Sequence, residues 1–455
     1  MEKVRRSLVF ITTPLLCLLL LSLVYTLQFG SLVLPSNQWE KLRTNSGGNR
    51  VEDQENLHFL LKRLVKGENQ TQLEAIGFAC HSDPHTDVCV SNRPVRIDTL
   101  TMKVYAPLRE GMPQANRIIR PYAKKDDDWI QGHVSPVQIL QGNISSLPAC
   151  RYTHDVPAIV FSSIGASGNV FHEFSELIIP LFLTSRLFQS RLRIIITDFK
   201  PRFFIKYKKI FSRLSSYEVI NPAANVSVHC FPGAVVGLHY HYRLALNASD
   251  IPGGYSMLDF KQFLRESFNL KILDLSQMEK PVLVLMSRTK SRAFLNEDQM
   301  VTMMKELGFR VVVPKPDMMA NLDKFAELLN SCSVLVGAHG AGLTNEIFLP
   351  EGAVMVQVVG LDLDWASGAY YGEPAIEMGL NYIKYKIEPE ESSLISLYGR
   401  DDPIVADPAS ITPTKGYLFA RAVYLDQQNF NISVVRFRET LIKALGLLGR
   451  SAPLD

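Results

Sequence analysis

VGAHGAGLTN (Val336–Asn345), running on into EIFLPEGAVMVQVV (Glu346–Val359), decides how this chain is read. The apolar run Ser333–Val336 has the composition of a buried strand and enters a glycine-rich loop with one histidine, His339. A short helix is expected from about Leu343 and a second apolar strand after Gly352. Strand, glycine loop, helix and strand in that order present an anion at the edge of a parallel α/β sheet. Glycines let the backbone come close to it, and the unpaired N–H groups of the helix start supply donors and partial positive charge. The expected ligand is a nucleotide diphosphate, held by His339, Gly340, Ala341, Gly342 and Asn345. Two other readings stay open at this point. Gly340-Ala341-Gly342 with Asp362 about 20 residues on fits a dinucleotide fingerprint, except that Asn345 stands at the third glycine position and a βαβ unit precedes the loop. The loop could also be a structural glycine turn.

Working outward, strands at Val282, Arg310 and Val334 alternate with helices over Asp298–Leu307 and Leu322–Leu329, and Val354–Val359 continues the sheet. Single helices between strands imply a mostly parallel, doubly wound sheet. The run SRTKSR (Ser287–Arg292) lies at the carboxyl end of the first of these strands. Arg288 and Arg292 are therefore expected to fork onto the diphosphate, against the alternative of a solvated basic loop. An earlier α/β unit has strands at Pro157–Ser163, Arg193–Phe199 and Tyr217–Ile220, a helix from about Asn169 and another over Phe203–Leu214. Its ligand side should face that of the later unit across a cleft. Asp250–Tyr255 is the best interdomain breaker, and a helix over about Val434–Leu448 is expected to pack back on the first domain.

GNVFHEF (Gly168–Phe174) opens the long helix of the first unit. Phe171 and Phe174 lie on its apolar face, while His172, Glu173 and Glu176 lie off it, with His172 and Glu176 one turn apart. His172 or Glu173 is the candidate general base for an acceptor hydroxyl. The competing account is helix-start chemistry, with Asn169 as cap and Glu173 near the positive end of the dipole. Asp126-Asp127-Asp128 reads as a solvated loop. Asp362-Leu363-Asp364 follows a strand and keeps a divalent-metal clamp as an alternative, although no metal is expected to be required.

The chain has 455 residues, 47% hydrophobic and 20% charged, with a net charge of +3. That is enough for two domains, and no basic stripe suggests nucleic acid. After MEKVRR, the stretch Ser7–Gln38 carries no charge. It is long enough to span a bilayer with its basic flank in the cytoplasm, a type II signal anchor. Sequons at Asn69, Asn143, Asn225, Asn247 and Asn431 fit a lumenal body. In an oxidising lumen Cys80 and Cys89 are the most credible disulfide, preferred to a zinc site with His81 and His85. Cys150 with Cys230 is a second candidate pair, leaving Cys332 free and buried.

The blocks CRYTHDVPAIVFSS (Cys150–Ser163), GNVFHEF, VHCFP (Val228–Pro232), Ser287-Arg288, GAHGAGLTN (Gly337–Asn345) and WASGAYYG (Trp365–Gly372) resemble glycosyltransferase family 61, over about Cys80–Leu448. The similarity is greatest to its plant clade that adds xylosyl or arabinofuranosyl groups to xylan. N-glycan β-1,2-xylosyltransferases and O-linked N-acetylglucosaminyltransferases of the same family are the alternatives, and a non-catalytic carbohydrate-binding subunit of a Golgi complex is an alternative of another class. The run Gly165-Ala166-Ser167-Gly168 departs from the family's more usual G-G-Y-T-G, on the acceptor side. The resemblance implies two Rossmann-like doubly wound domains of GT-B type behind an N-terminal transmembrane helix, a UDP-sugar donor, a polysaccharide or glycan acceptor, inversion at the anomeric carbon, and a Golgi membrane location. The expected organisation is a tail at 1–7, anchor at 8–30, stem at 31–75, acceptor-side domain at 76–252, nucleotide-sugar domain at 253–430 and terminal helix at 431–455. Homo- or hetero-association stays open.

Overall fold

The three longest apolar runs of the later unit, VLVLM, VLVGA and VMVQVV, are mostly Val, Leu and Met, so both of their faces must be covered. In space the strands of this unit run Arg310–Val312, Val282–Met286, Val334–Ala338, Val354–Val359, Asn381–Lys386, and every neighbouring pair is parallel. The three central strands are buried along their whole length. This computed structural model describes residues 50–107, 115–142, 147–241, 243–246, 248, 251, 253–278 and 280–451. The expected anchor at 8–30, Asn143 and Asn247 lie outside the described residues. Among those described, no helix is long and apolar enough to cross a membrane. Residues 58–455 form one compact unit.

The earlier half is not a second copy of that design. One five-stranded sheet runs Phe78–Ser82, Asp87–Ser91, Ala234–Val236, Ala158–Ser162, Arg193–Thr197, with only its last three strands parallel. A six-stranded sheet runs Ala115–Ile119, Val137–Gly142, Lys103–Pro107, Val95–Asp98, Val228–Phe231, Tyr152–Thr153. Val95–Asp98 alternates buried and part-exposed residues, the pattern of a strand with one covered face. Ile97, Val104 and Ile139 of this sheet meet Cys89, Val160 and Ile195 of the other in a shared core.

The α/β unit expected on the amino-terminal side is present in the parallel strands Ala234–Val236, Ala158–Ser162 and Arg193–Thr197, and the short strands before Asn143 extend that sheet and build most of the second one. The expected third strand at Tyr217–Ile220 shrinks to one bridge, Ile220 to Ile195. Ser215 causes this: its hydroxyl donates to the Leu192 carbonyl at 2.7 Å and accepts from the Tyr217 amide at 3.1 Å, holding the chain in a turn. The helix expected over Phe203–Leu214 divides into Pro201–Lys206 and Lys208–Leu214. Helix Val434–Leu447 buries Phe437, Leu441, Ala444 and Leu445 in the core of the parallel sheet, and not in that of the earlier half.

Both expected disulfides are present, Cys80–Cys89 across paired strands and Cys150–Cys230, and Cys332 is free and buried. With both sulfurs of the Cys80 loop oxidised, the zinc alternative lapses.

Behind the second disulfide the imidazoles of His154 and His229 stack at 5.3 Å and share a hydrogen bond, Nε2 to Nδ1, of 3.0 Å. Burial, then Arg193, pushes His154 down to about 4, and burial lowers His229 too. Their unfolded values are about 6.5, so the unfolded chain takes up these protons first. The stability they confer is complete above that value and is lost as pH falls toward 4. We expect the melting temperature to drop between pH 7 and pH 4.5, and His154→Gln to flatten that drop. An unchanged slope in the variant would show that the pair does not set it.

Candidate functional site

Two arginines and one glycine make the centre of the site. Strand Val282–Met286 ends into Arg288 and Arg292, and strand Val334–Ala338 ends into His339 and Gly340 beside it. Arg292 donates from Nη1 to the His339 carbonyl at 2.8 Å, and Arg288 donates from Nε to the Ser291 carbonyl at 2.8 Å. Gly340 has φ +149°, and a Cβ there would sit 2.7 Å from Arg288 Nη1 and 3.0 Å from Arg292 Nη1. A side chain there would push both guanidinium groups off the loop and would be strained at this φ.

Each arginine thus spends one edge on a carbonyl and keeps the rest for a ligand. Among the described residues neither forms an ion pair with a carboxylate. Asp426, which acts on Arg292 through its charge, is paired with Arg421 at 3.9 Å. Burial and then the Arg288 charge push Arg292 down to about 10, so both remain cationic at neutral pH. Two partly buried like charges without a counter-ion are an anion site.

His339 is held in one tautomer. The Tyr382 hydroxyl donates to Gln357 Oε1 at 2.8 Å, which turns the Gln357 amide nitrogen toward His339 Nδ1 at 3.1 Å; Ser367 Oγ stands 3.2 Å from the same nitrogen. Nδ1 therefore accepts and Nε2 carries the proton. Burial, then Arg292 and Arg288, push the imidazole down to about 3, so His339 is a neutral donor. The helix after Gly340 is a 3₁₀ helix, Ala341–Phe348, whose first amides are those of Ala341 and Gly342. Asn345 does not face outward: it is buried and donates to the Gly342 carbonyl at 2.9 Å, pinning the loop. Burial holds the neighbouring Glu346 carboxyl well above its usual range, so it adds no negative charge beneath the loop.

The turn Val170–His172 packs directly on Ala341–Phe348, so the two sequence blocks meet at one place. Asn169 caps this helix by accepting from the Phe171 amide at 3.0 Å. Glu173–Ile178 is wound as a π-helix, an unusual geometry that recurs at functional sites. Glu173 is buried and fully engaged, accepting from the Gly168 amide at 3.0 Å, Lys206 at 2.5 Å and the Tyr207 hydroxyl at 2.7 Å. His172 is partly exposed, and its Nδ1 lies 2.6 Å from Glu176 Oε1. Glu176, itself buried, also accepts from the Tyr122 hydroxyl at 2.8 Å, with Lys124 at 4.0 Å. The carboxylate accepts a hydrogen bond from Nδ1–H, which leaves the Nε2 lone pair of His172 as the basic position.

The other candidates have local partners. Asp364 pairs with Lys384 at 3.1 Å and Lys386 at 2.8 Å, and Asp362 accepts from Thr412 at 2.9 Å. Asp127 caps the helix Asp128–His133, so that triplet is more ordered than a solvated loop. Asn225 and Asn431 are exposed and Asn69 is half-buried. Tyr122, Gln357 and Ser367 escaped the sequence reading. Gln357 alone left a trace, as the one polar residue in VMVQVV.

The profile of the glycosyltransferase 61 family matches residues 170–356, which take in Val170–Phe174 of the first block and all of the second. The alpha-1,3-arabinosyltransferase XAT3 of Oryza sativa is 36% identical over 84% of this chain and 67% of its own length. The xylan glycosyltransferase MUCI21 of Arabidopsis thaliana is 36% identical over 79% of this chain and 77% of its own. The beta-1,2-xylosyltransferase XYXT1 of Oryza sativa is 34% identical over 80% and 83%. A solved structure of a family 9 glycosyl transferase from Veillonella parvula is similar at TM-score 0.28 and 10% identity, over 67% of this chain and 99% of that one, too distant to carry an argument.

Arg288→Ala and His339→Ala should each weaken UDP binding by about 1.5 to 3 kcal/mol, the range for a hydrogen bond to a charged group. Titration calorimetry on folded variants decides it, and undiminished affinity in the double variant would remove both residues from the site.

Proposed function

Because the chain belongs to the glycosyltransferase 61 family, we propose that it is an inverting pentosyltransferase that moves a xylosyl or arabinofuranosyl group from a UDP-sugar to xylan or a related cell-wall polysaccharide. The similar proteins named as xylan, arabinosyl and xylosyl transferases support this substrate class. The observation that carries the chemistry is the pair of guanidinium groups at Gly340 without a carboxylate partner among the described residues.

The diphosphate sits against Arg288, Arg292, the Nε2–H of His339 and the first amides of Ala341–Phe348. These donors are in place before charge develops on the leaving oxygen, so little reorganisation is needed. Across the cleft, in a GT-B arrangement, His172 Nε2 takes the proton of the acceptor hydroxyl as its oxygen attacks the anomeric carbon. The C–O bond to UDP breaks on the opposite face, which inverts the centre. Glu176 stabilises the imidazolium formed, and Glu173 holds the helix that carries both.

Metal is not required in this scheme, because the arginines supply the positive charge and Asp364 is neutralised by two lysines. Activity should survive EDTA; complete loss restored by a divalent cation would revive the Asp362–Asp364 clamp. The place of action we propose is the Golgi lumen, with the body tethered by the apolar stretch within 8–30.

His172→Ala is expected to cut transfer by about 10²- to 10⁴-fold at constant UDP affinity. Glu176→Gln should lower transfer less, and Glu173→Gln should act on thermal stability. Normal transfer by His172→Ala would sink the assignment and return the block to a well-capped core helix.

A further inference from the structure

Tryptophan is among the more buried side chains of folded proteins, yet both tryptophans in the described residues, Trp129 and Trp365, are 67% exposed. Trp365 stands beside the site. Trp365 is two residues from Ser367, whose hydroxyl lies 3.2 Å from His339 Nδ1. Its ring meets Tyr370 edge-on at 5.8 Å, and Tyr370 meets Phe171, the residue before His172, at 5.3 Å. The indole is not loose, since the Arg243 guanidinium lies 5.3 Å from its centroid and is itself placed by Glu373 at 3.7 Å. Cation and tyrosine fix the ring, and most of its surface still meets solvent.

Trp129 is connected to the partner of His172 more indirectly. It lies in the helix Asp128–His133, tied back through Gln131 Nε2 to the Lys124 carbonyl at 2.8 Å, and Lys124 is 4.0 Å from Glu176. His133 supports its ring at 4.6 Å and bonds its carbonyl at 2.7 Å.

We propose that Trp365 is a stacking platform for the pyranose ring of the acceptor next to the reacting hydroxyl, and that Trp129 is a more distant platform for the same chain. This deepens the polysaccharide-acceptor reading above and rests on it. A flat, amphipathic ring suits this ligand. The C–H face of an equatorially substituted pyranose is apolar and buries well on an indole, while its hydroxyls stay in water around the rim. Both platforms belong to segments that also position the catalytic groups, Trp365 through Ser367 and Trp129 through Lys124. Acceptor binding and alignment of the base would then be set by the same local structure.

The test uses the purified protein with UDP-xylose or UDP-arabinofuranose as donor, UDP alone for affinity, and xylobiose and xylohexaose as acceptors. Trp365→Ala should raise the KM for xylohexaose about tenfold, the scale of one aromatic stacking contact, with UDP affinity unchanged and Trp365→Tyr recovering most of the loss. Trp129→Ala should raise the KM for xylohexaose and leave that for xylobiose alone. A wild-type protein that binds UDP but neither binds nor glycosylates xylohexaose would remove the xylan reading and this track with it. Transfer to xylohexaose with KM unmoved by Trp365→Ala would overturn the platform alone. So would light scattering in which Trp365→Ala splits a dimer, because the ring would then be a protein interface.

Discussion

The site depends on holding two guanidinium groups side by side, partly out of water, with no carboxylate paired to either among the described residues. Such an arrangement costs desolvation and like-charge repulsion, and burial with the Arg288 charge already lowers Arg292 to about 10. What holds it together is backbone. The His339 and Ser291 carbonyls each accept from one guanidinium, and the missing side chain of Gly340 makes room for both. In the proposed mode of binding, a diphosphate would relieve this repulsion, so ligand affinity and local strain would have one source.

That cradle is joined to the opposite half by aromatic packing. Phe171 lies against Tyr370 and Tyr371, and Phe174 against Phe348 and Phe260. Tyr371 also stacks edge-on to His339 at 5.4 Å. Large rigid rings place the start of the Val170–His172 turn with little conformational freedom. The π-helices at Glu173–Ile178 and Gly368–Gly372 both lie in this contact. Each adds a residue to its turn and so changes which side chains face the cleft.

Three glutamates near the centre have three different states. Glu173 is saturated by a lysine, a tyrosine and an amide. Glu176 is bound to His172 and Tyr122. Glu346 has no partner for either oxygen among the described residues, and burial keeps its proton on. One residue type therefore plays three different parts, set by its partners and its burial.

By itself the sequence determined the parallel half, since the Val- and Leu-rich runs at 282–286, 334–338 and 354–359 have no other way to cover both faces. It also determined the glycine loop, because its spacing is a local backbone requirement, and the Cys80–Cys89 pair across a short polar loop. The antiparallel pairings of the other half were not legible. The strands that make them are three to six residues long and pair across the chain, as Val228–Phe231 does with Val95–Asp98. The choice between His172 and Glu173 was likewise closed to sequence, as both are polar residues at one helix start. Tertiary structure separated them by bringing Lys206 and Tyr207 to Glu173 and Tyr122 to Glu176, residues 33, 34 and 54 positions away. Hydrogen bonds over such separations leave no periodicity to read, so the charge and aim of each side chain exist only once the chain has folded.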